Sequence, residues 1–167
     1  VFVRNDPPFD AQYLMNTWLL DKLPKNILVI NSTHGIRTVN EKLWAAQFTS
    51  IVPPTLIASL KNELLKFLNA QKYIVAKPVN GHGGKGVFII KKGDTNTNVI
   101  LETLTDNFQT PIILQKFIPA SQKGDKRILL LNGEPLGAIL RVHSSSDHRN
   151  NVFSGGKAKP AKITAND

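Results

Sequence analysis

The sequence predicts an α/β fold, and three observations predict it. Residues 1–38 read strand, helix, strand, the order that favours a parallel sheet. Two apolar runs rich in β-branched and aromatic residues, Tyr73-Ile74-Val75-Ala76 and Val87-Phe88-Ile89-Ile90, flank a glycine-rich segment like the arms of a hairpin. A second hairpin, residues 126–131 and 136–142, turns at Asn132-Gly133, a strong short-range hairpin signal.

A chain of 167 residues can bury one well-packed domain, or a domain with a piece of another. Its 41% hydrophobic content supplies a core, and 20% charged residues fit an ordinary soluble protein. No apolar run reaches the length of a membrane span, and no basic segment leads into an apolar one at the start. Having no cysteine, the chain has neither a disulfide framework nor a thiolate metal site, which is compatible with a reducing cytosol. The four histidines lack metal-ligand spacing. A formal charge of +9 asks for an anionic partner. The 21 Lys and Arg are spread along the chain rather than clustered with aromatics, so a small phosphorylated ligand is expected in place of nucleic acid or membrane. A solvated basic surface would account for most of these charges. The chain opens inside Val1-Phe2-Val3-Arg4 without an initiator methionine and stops on Thr164-Ala165-Asn166-Asp167 without a closing element, so a fragment of a longer protein is expected.

Val1-Phe2-Val3 reads as a strand, followed by a loop held extended by Pro7 and Pro8. Tyr13, Leu14, Trp18, Leu19 and Leu20 recur near a helical period and predict a helix over 10–23, broken at Pro24. Leu28-Val29-Ile30 is a second, buried strand. Asp6 leaves the first strand where open α/β sheets bind ligands, though it could equally stabilise the turn. Asn40 can cap a helix carrying Leu43, Trp44, Ala45, Ala46 and Phe48, with Lys42 in a first turn that disfavours cations. Pro53-Pro54-Thr55-Leu56 is a short extended segment, and Ser59 caps a helix over 60–70. A helix near 99–104 and a strand over 112–118, stopped by Pro119, follow. Asp125, Arg127 and Arg141 fall at the outer ends of the second hairpin. From His143 to Lys162 the apolar content collapses, which reads as a lid or binding loop, or as a linker. Arg149 and Asn151 favour the lid, because a planar guanidinium suits carboxylate and phosphate.

The chemistry concentrates in Lys77-Pro78-Val79-Asn80-Gly81-His82-Gly83-Gly84-Lys85-Gly86. Gly81, Gly83, Gly84 and Gly86 leave the backbone free to turn successive N–H groups toward one anion, with Lys77 and Lys85 adding charge at either end. A plain hairpin turn would need fewer glycines. A Walker loop and a dinucleotide fingerprint both open a helix, whereas a strand follows here. A flap of two antiparallel strands closing over polyphosphate fits; protein kinases share that geometry, but their other signatures are absent.

Taken in order, Arg4-Asn5-Asp6-Pro7-Pro8-Phe9-Asp10, Asn40-Glu41-Lys42-Leu43, Lys77-Pro78 with Gly81-His82-Gly83-Gly84-Lys85-Gly86, Gly124-Asp125-Lys126-Arg127, Asn132-Gly133-Glu134-Pro135 and Arg149-Asn150-Asn151 resemble bacterial glutathione synthetases over nearly the whole chain. The resemblance implies an α+β ATP-grasp fold. Residues 1–38 would end an N-terminal α/β substrate domain, and residues 39–167 would form a two-lobed nucleotide-binding domain, incomplete at its C-terminus. It implies a cytoplasmic ligase, a homo-oligomer at full length, that joins γ-glutamylcysteine to glycine with ATP and magnesium, manganese being an alternative metal. ATP would phosphorylate the dipeptide's terminal carboxylate, and the glycine amine would displace phosphate from the acyl phosphate. Lys42 and Lys77 would hold the ATP phosphates beneath the 81–86 flap. Gln115, Lys116, Phe117 and Ile118 would form the hinge that takes adenine, and Asp125 would face ribose or metal. Arg127 and Arg141 would hold the reacting carboxylate, with Arg149 and Asn151 on the lid. The metal ligands would lie beyond Asp167, so this stretch by itself is expected to be inactive. The lid reads Ser144-Ser145-Ser146-Asp147-His148 where family members are often glycine-rich. Another ATP-grasp carboxylate–amine ligase, or a nucleotide-binding module without chemistry, would share the flap and lysines; the Asp-Pro-Pro-Phe-Asp stretch argues for the synthetase.

Overall fold

The computed structural model describes residues 1–142, 157–165 and 167. Contacts group the chain into two units, one of residues 1–82 and 86–117, the other of residues 83–85 and 118–167.

The first unit starts with Phe2 bridging Ile30 in parallel. The Val1 ammonium donates to the Leu28 carbonyl at 2.6 Å, and Ile30 N–H donates to the Val1 carbonyl at 2.8 Å. The direction agrees with the strand–helix–strand reading, but the extent does not. A single bridge replaces two strands, and Leu28, expected to be buried, is 72% exposed. Among the described residues the pair stands outside both sheets, and of its apolar side chains Val3 is buried while Phe2 and Leu28 are exposed. Helix α1 (Ala11–Leu20) is capped by Asp10, whose carboxylate accepts from Tyr13 N–H at 2.9 Å. Helix α2 (Thr33–Thr38), capped by Ser32, was not expected; Asp21, just past α1, accepts from Thr33 and from Arg37 and so ties the two helices.

The helix expected around Leu43 to Phe48 shrinks to a 3-10 turn, Trp44–Gln47. Asn40 does not cap it: the cap position is Leu43, without a side-chain bond, while the Asn40 side-chain oxygen accepts from Lys42 N–H and Leu43 N–H, both at 3.0 Å, in the turn that precedes it. Lys42 therefore precedes the helical residues, and the predicted conflict with a helix dipole does not arise.

Strands β1 (Thr55–Ala58), β2 (Tyr73–Pro78), β3 (Phe88–Lys91) and β4 (Ile112–Lys116) form an antiparallel sheet in the order β1-β4-β2-β3. Helix α3 (Lys61–Gln71) follows β1; its N-cap is Leu60, without a side-chain bond, so Ser59 does not cap it. Ser59 is one residue early, and a hydroxyl reaches the free N–H groups only from the cap position itself. Lys72 ends α3 in the left-handed region (φ 64°), donating to the Leu68 carbonyl at 2.7 Å, and reverses the chain straight into β2. Helix α4 (Thr97–Leu104) lies between β3 and β4 in the chain.

Strand alternation divides the sheet's two faces. Ala58, Ile74, Ala76, Ile90, Ile112 and Leu114 face one side and pack with Leu64, Leu68 and Leu101 of the helices into the core. Leu64, Ile74, Ile90, Leu101, Ile112 and Leu114 are sealed from solvent to within 1%, and each contributes about 1.5–3 kcal/mol by burial. The register puts Thr55, Tyr73, Val75, Lys77, Ile113, Gln115 and Ile89 on the other face. That polar-dotted face is where the site is built.

The second unit contains a short 3-10 turn, Pro119–Lys123, and strands β5 (Asp125–Leu131), β6 (Glu134–Val142) and β7 (Lys157–Ala161), all antiparallel in that order. Asn132 and Gly133 both have positive φ, 50° and 85°, as a two-residue type I′ turn requires. Pro160 sits in β7, an outer strand where a missing N–H donor is tolerated. At Gly124 (φ 122°) a Cβ would meet the Arg141 carbonyl oxygen at 2.5 Å, so no other residue fits without displacing the strand.

Candidate functional site

In the first unit, two of the predicted cations lie close to one another. Lys42 Nζ donates to the Pro78 carbonyl at 2.9 Å and to the Gly81 carbonyl at 2.5 Å. Lys77, near the end of β2, donates to Gln115 Oε1 at 2.9 Å. Both ammonium groups are held below the ordinary lysine value of 10.5. Burial is the main cause for each; the Glu41 carboxylate partly offsets it at Lys42, and the charge of Lys42 adds to it at Lys77. Among the described residues neither lysine hydrogen-bonds a carboxylate. Their acceptors are amide and carbonyl oxygens, which orient an ammonium without neutralising it.

The flap departs from β2 after Pro78 and returns in β3 through Ala76 opposite Phe88. Gly83, Gly84 and Gly86 adopt positive φ of 61°, 77° and 69°, as expected for a loop that turns its amides. A Cβ on Gly86 would stand 3.2 Å from the Pro78 ring. Lys85 is exposed.

At the end of β4, Gln115 is held on two sides, accepting from Lys77 and donating from Nε2 to Thr55 Oγ1 at 2.9 Å. The backbone N–H groups of Lys116 and Phe117 are committed to the Pro54 and Tyr73 carbonyls, at 2.9 and 3.0 Å. The Phe117 ring lies against Tyr73 with centroids 4.2 Å apart, and Lys91 Nζ sits 5.1 Å from the Tyr73 centroid. Ile118 is about half exposed, at 48%. A cavity of about 260 Å³ opens beside Lys42; Asn5, Phe9, Tyr13, Glu41, Asn80 and Gly81 are among the residues lining it.

In the second unit, Asp125 and Arg141 are cross-strand partners and form an ion pair in which Arg141 Nε, at 3.1 Å, and Nη2 both donate to Asp125 Oδ2. Arg127 pairs with Ile139 two positions along, so it shares their face, and it is exposed. Arg149 and Asn151 lie outside the described residues. Among the described residues no three His, Asp or Glu side chains gather to hold a metal ion.

Sequence reasoning names both lysines, Gly81 and Gln115, but not the hydrogen bonds that join them, nor the Pro78 carbonyl, Thr55 or the cavity. Thr55 carried a faint signal, a polar residue directly after Pro53-Pro54. Gln115 carried a clearer one, an amide following the apolar run Ile112-Ile113-Leu114.

A family model described as the prokaryotic glutathione synthetase ATP-grasp domain matches residues 41–167, and the corresponding N-terminal domain model matches residues 1–37. The glutathione synthetase of Thermosynechococcus vestitus is 42% identical over 168 residues, covering 100% of this chain and 53% of the relative. The chain thus spans about half the length of the curated relatives it matches. Among solved structures, D-cycloserine synthetase DcsG superposes with a TM-score of 0.68 at 19% identity, covering 91% of this chain and 55% of that one. The ATP-grasp ligase PsnB, in complex with a precursor variant, magnesium and ADP, superposes with a TM-score of 0.61 at 16% identity, covering 93% of this chain and 47% of that one. The fold is ATP-grasp, and the chain belongs to the prokaryotic glutathione synthetase family.

Proposed function

We propose that the chain provides the ATP-handling part of a ligase that joins γ-glutamylcysteine to glycine through an acyl phosphate. The observation that carries this is the pair of half-buried lysines, Lys42 and Lys77, held by neutral acceptors beside a glycine flap. Two cations oriented in advance and not neutralised are suited to polyphosphate, whose transfer depends on positioning and charge stabilisation more than on a protein nucleophile. Residues 1–38 act as the end of the substrate domain and 39–167 as the nucleotide domain. Residues 115–118 serve as the adenine hinge through Phe117 and the backbone groups still open to a ligand. The Asn5–Gly81 cavity, small for a nucleotide, takes part of the peptide substrate. Arg127, Arg141, Arg149 and Asn151 stabilise and shield the acyl phosphate, and Asp125 fixes Arg141. Magnesium accompanies ATP, but the described residues offer no ligand set of their own for it, so no step is assigned to the metal here. The intact enzyme is cytoplasmic and oligomeric in this reading.

Titration calorimetry of the chain with ATP and magnesium tests the nucleotide site: the parent binds, and a folded Lys42→Ala, Lys77→Ala variant does not. In the intact protein, ADP release should require γ-glutamylcysteine and glycine together. Dipeptide labelled with ¹⁸O in the glycine-accepting carboxylate should pass one labelled oxygen to inorganic phosphate. Equal ADP release with an unrelated amine would overturn the assignment of glycine.

A further inference from the structure

Lys77 is the first member of a chain of hydrogen bonds that crosses three strands. Its ammonium donates to Gln115 Oε1 at 2.9 Å, Gln115 Nε2 donates to Thr55 Oγ1 at 2.9 Å, and the Thr55 hydroxyl donates to the Pro53 carbonyl at 2.7 Å. We propose that this one-way string aims the Lys77 ammonium at the nucleotide's phosphates, making Gln115 and Thr55 positioning residues. The proposal rests on the reading of Lys42 and Lys77 as a phosphate site.

Direction is the core of the argument. The Pro53 carbonyl can only accept, so it takes the single Thr55 proton and leaves the hydroxyl oxygen as an acceptor toward Gln115. The glutamine amide must then turn its NH₂ to Thr55 and its carbonyl oxygen to Lys77. With the amide reversed, an NH₂ group would face an ammonium that also can only donate. The sheet makes the string possible. Thr55 is the register partner of Gln115, Gln115 that of Val75, and Lys77 follows Val75 on the same face. Because an ammonium carries three donors and Gln115 takes one, two are left for phosphate oxygens. A lysine stem is otherwise free to wander, so the fixed amide holds one geometry out of many.

The test removes the Thr55 hydroxyl, which reaches Lys77 only through Gln115. In the intact protein, Thr55→Val should weaken ATP and ADP binding by about tenfold, the loss expected from one hydrogen bond to a charged group, and leave adenosine binding unchanged. Thr55→Ser, which keeps the hydroxyl, should return affinity to within about twofold of the parent. Melting temperatures establish that each variant is folded. If Thr55→Val binds ATP like the parent while Lys77→Ala loses it, the string is wrong and the phosphate site stands. If Thr55→Val loses ATP and adenosine alike, Thr55 only shapes the pocket and the proposal fails. If Lys77→Ala binds ATP normally, the phosphate-site reading fails and takes the string with it.

Discussion

The candidate site residues of the two units hold their charges in opposite ways. In the first, Lys42 and Lys77 rest on carbonyl and amide oxygens, remain uncompensated, and are partly desolvated. In the second, Arg141 is bound to the Asp125 carboxylate, and its charge is matched inside the fold. A cation on neutral acceptors is oriented but still attracts an anion. A cation on a carboxylate has most of its field cancelled and contributes shape and donors instead. The difference teaches that position in a basic sequence says little about a cation's task; its acceptor says more.

The comparison breaks most visibly if the lysines are removed. Lys42→Ala with Lys77→Ala should cost roughly 10²–10⁴-fold in ATP affinity, from about 1.5–3 kcal/mol for each charged contact, with little change in melting temperature because each lysine is also costly to bury. Calorimetric titration beside a thermal melt reads both. Next in size, Gly124→Ala should destabilise the second unit by about 1–3 kcal/mol, since φ 122° and the nearby Arg141 carbonyl exclude a Cβ. Urea unfolding followed in that unit checks it.

Asp125→Asn sharpens the contrast, since it removes the carboxylate while keeping the shape. Both partners are partly exposed, so stability should fall by only about 1 kcal/mol, and Arg141 should gain affinity for phosphate that fades with added salt. Unchanged phosphate binding would mean that Arg141 is not the compensated twin of the lysines. The smallest effect is on pH. Both lysines titrate below 10.5, so they lose their protons sooner than free lysines, and bound phosphate pulls them back toward the charged form. From neutral pH, where the phosphates are fully charged, ATP affinity should therefore decline as pH rises through the lowered lysine values toward 10.5, with proton uptake on binding in that window. In the same window, stability without ligand should rise with pH, because the unfolded chain there binds more protons than the folded one. Titrations in buffers of different ionisation enthalpy measure the uptake.

Local chemistry was legible in the sequence. The turning glycines Gly83, Gly84 and Gly86 and the Asn132-Gly133 turn depend on residues close together in the sequence, and their positive φ values match the reading. The two strands at residues 1–3 and 28–30 were over-read, because an apolar run does not say how many backbone pairs it will form: they meet in the single Phe2–Ile30 bridge, which leaves Leu28 exposed. Helix α2 was missed, being too short to show a period. The strand order β1-β4-β2-β3 was illegible for a different reason: it brings Thr55 to Gln115 across 60 positions, and no local pattern encodes that meeting. The lysines could thus be named from the sequence, but what holds them could not.

Strand β3 carries one more consequence, for colloidal behaviour. Among the described residues it pairs only with β2, and Phe88-Ile89-Ile90 on an outer strand is the kind of segment that recruits a foreign strand into an aggregate. Four residues give such a strand little to grip, and Lys91 and Lys92 close it with two positive charges that repel an identical neighbour. Lys91, whose ammonium lies over the Tyr73 ring, thus ends the strand with a charge of the kind that disfavours edge-to-edge growth.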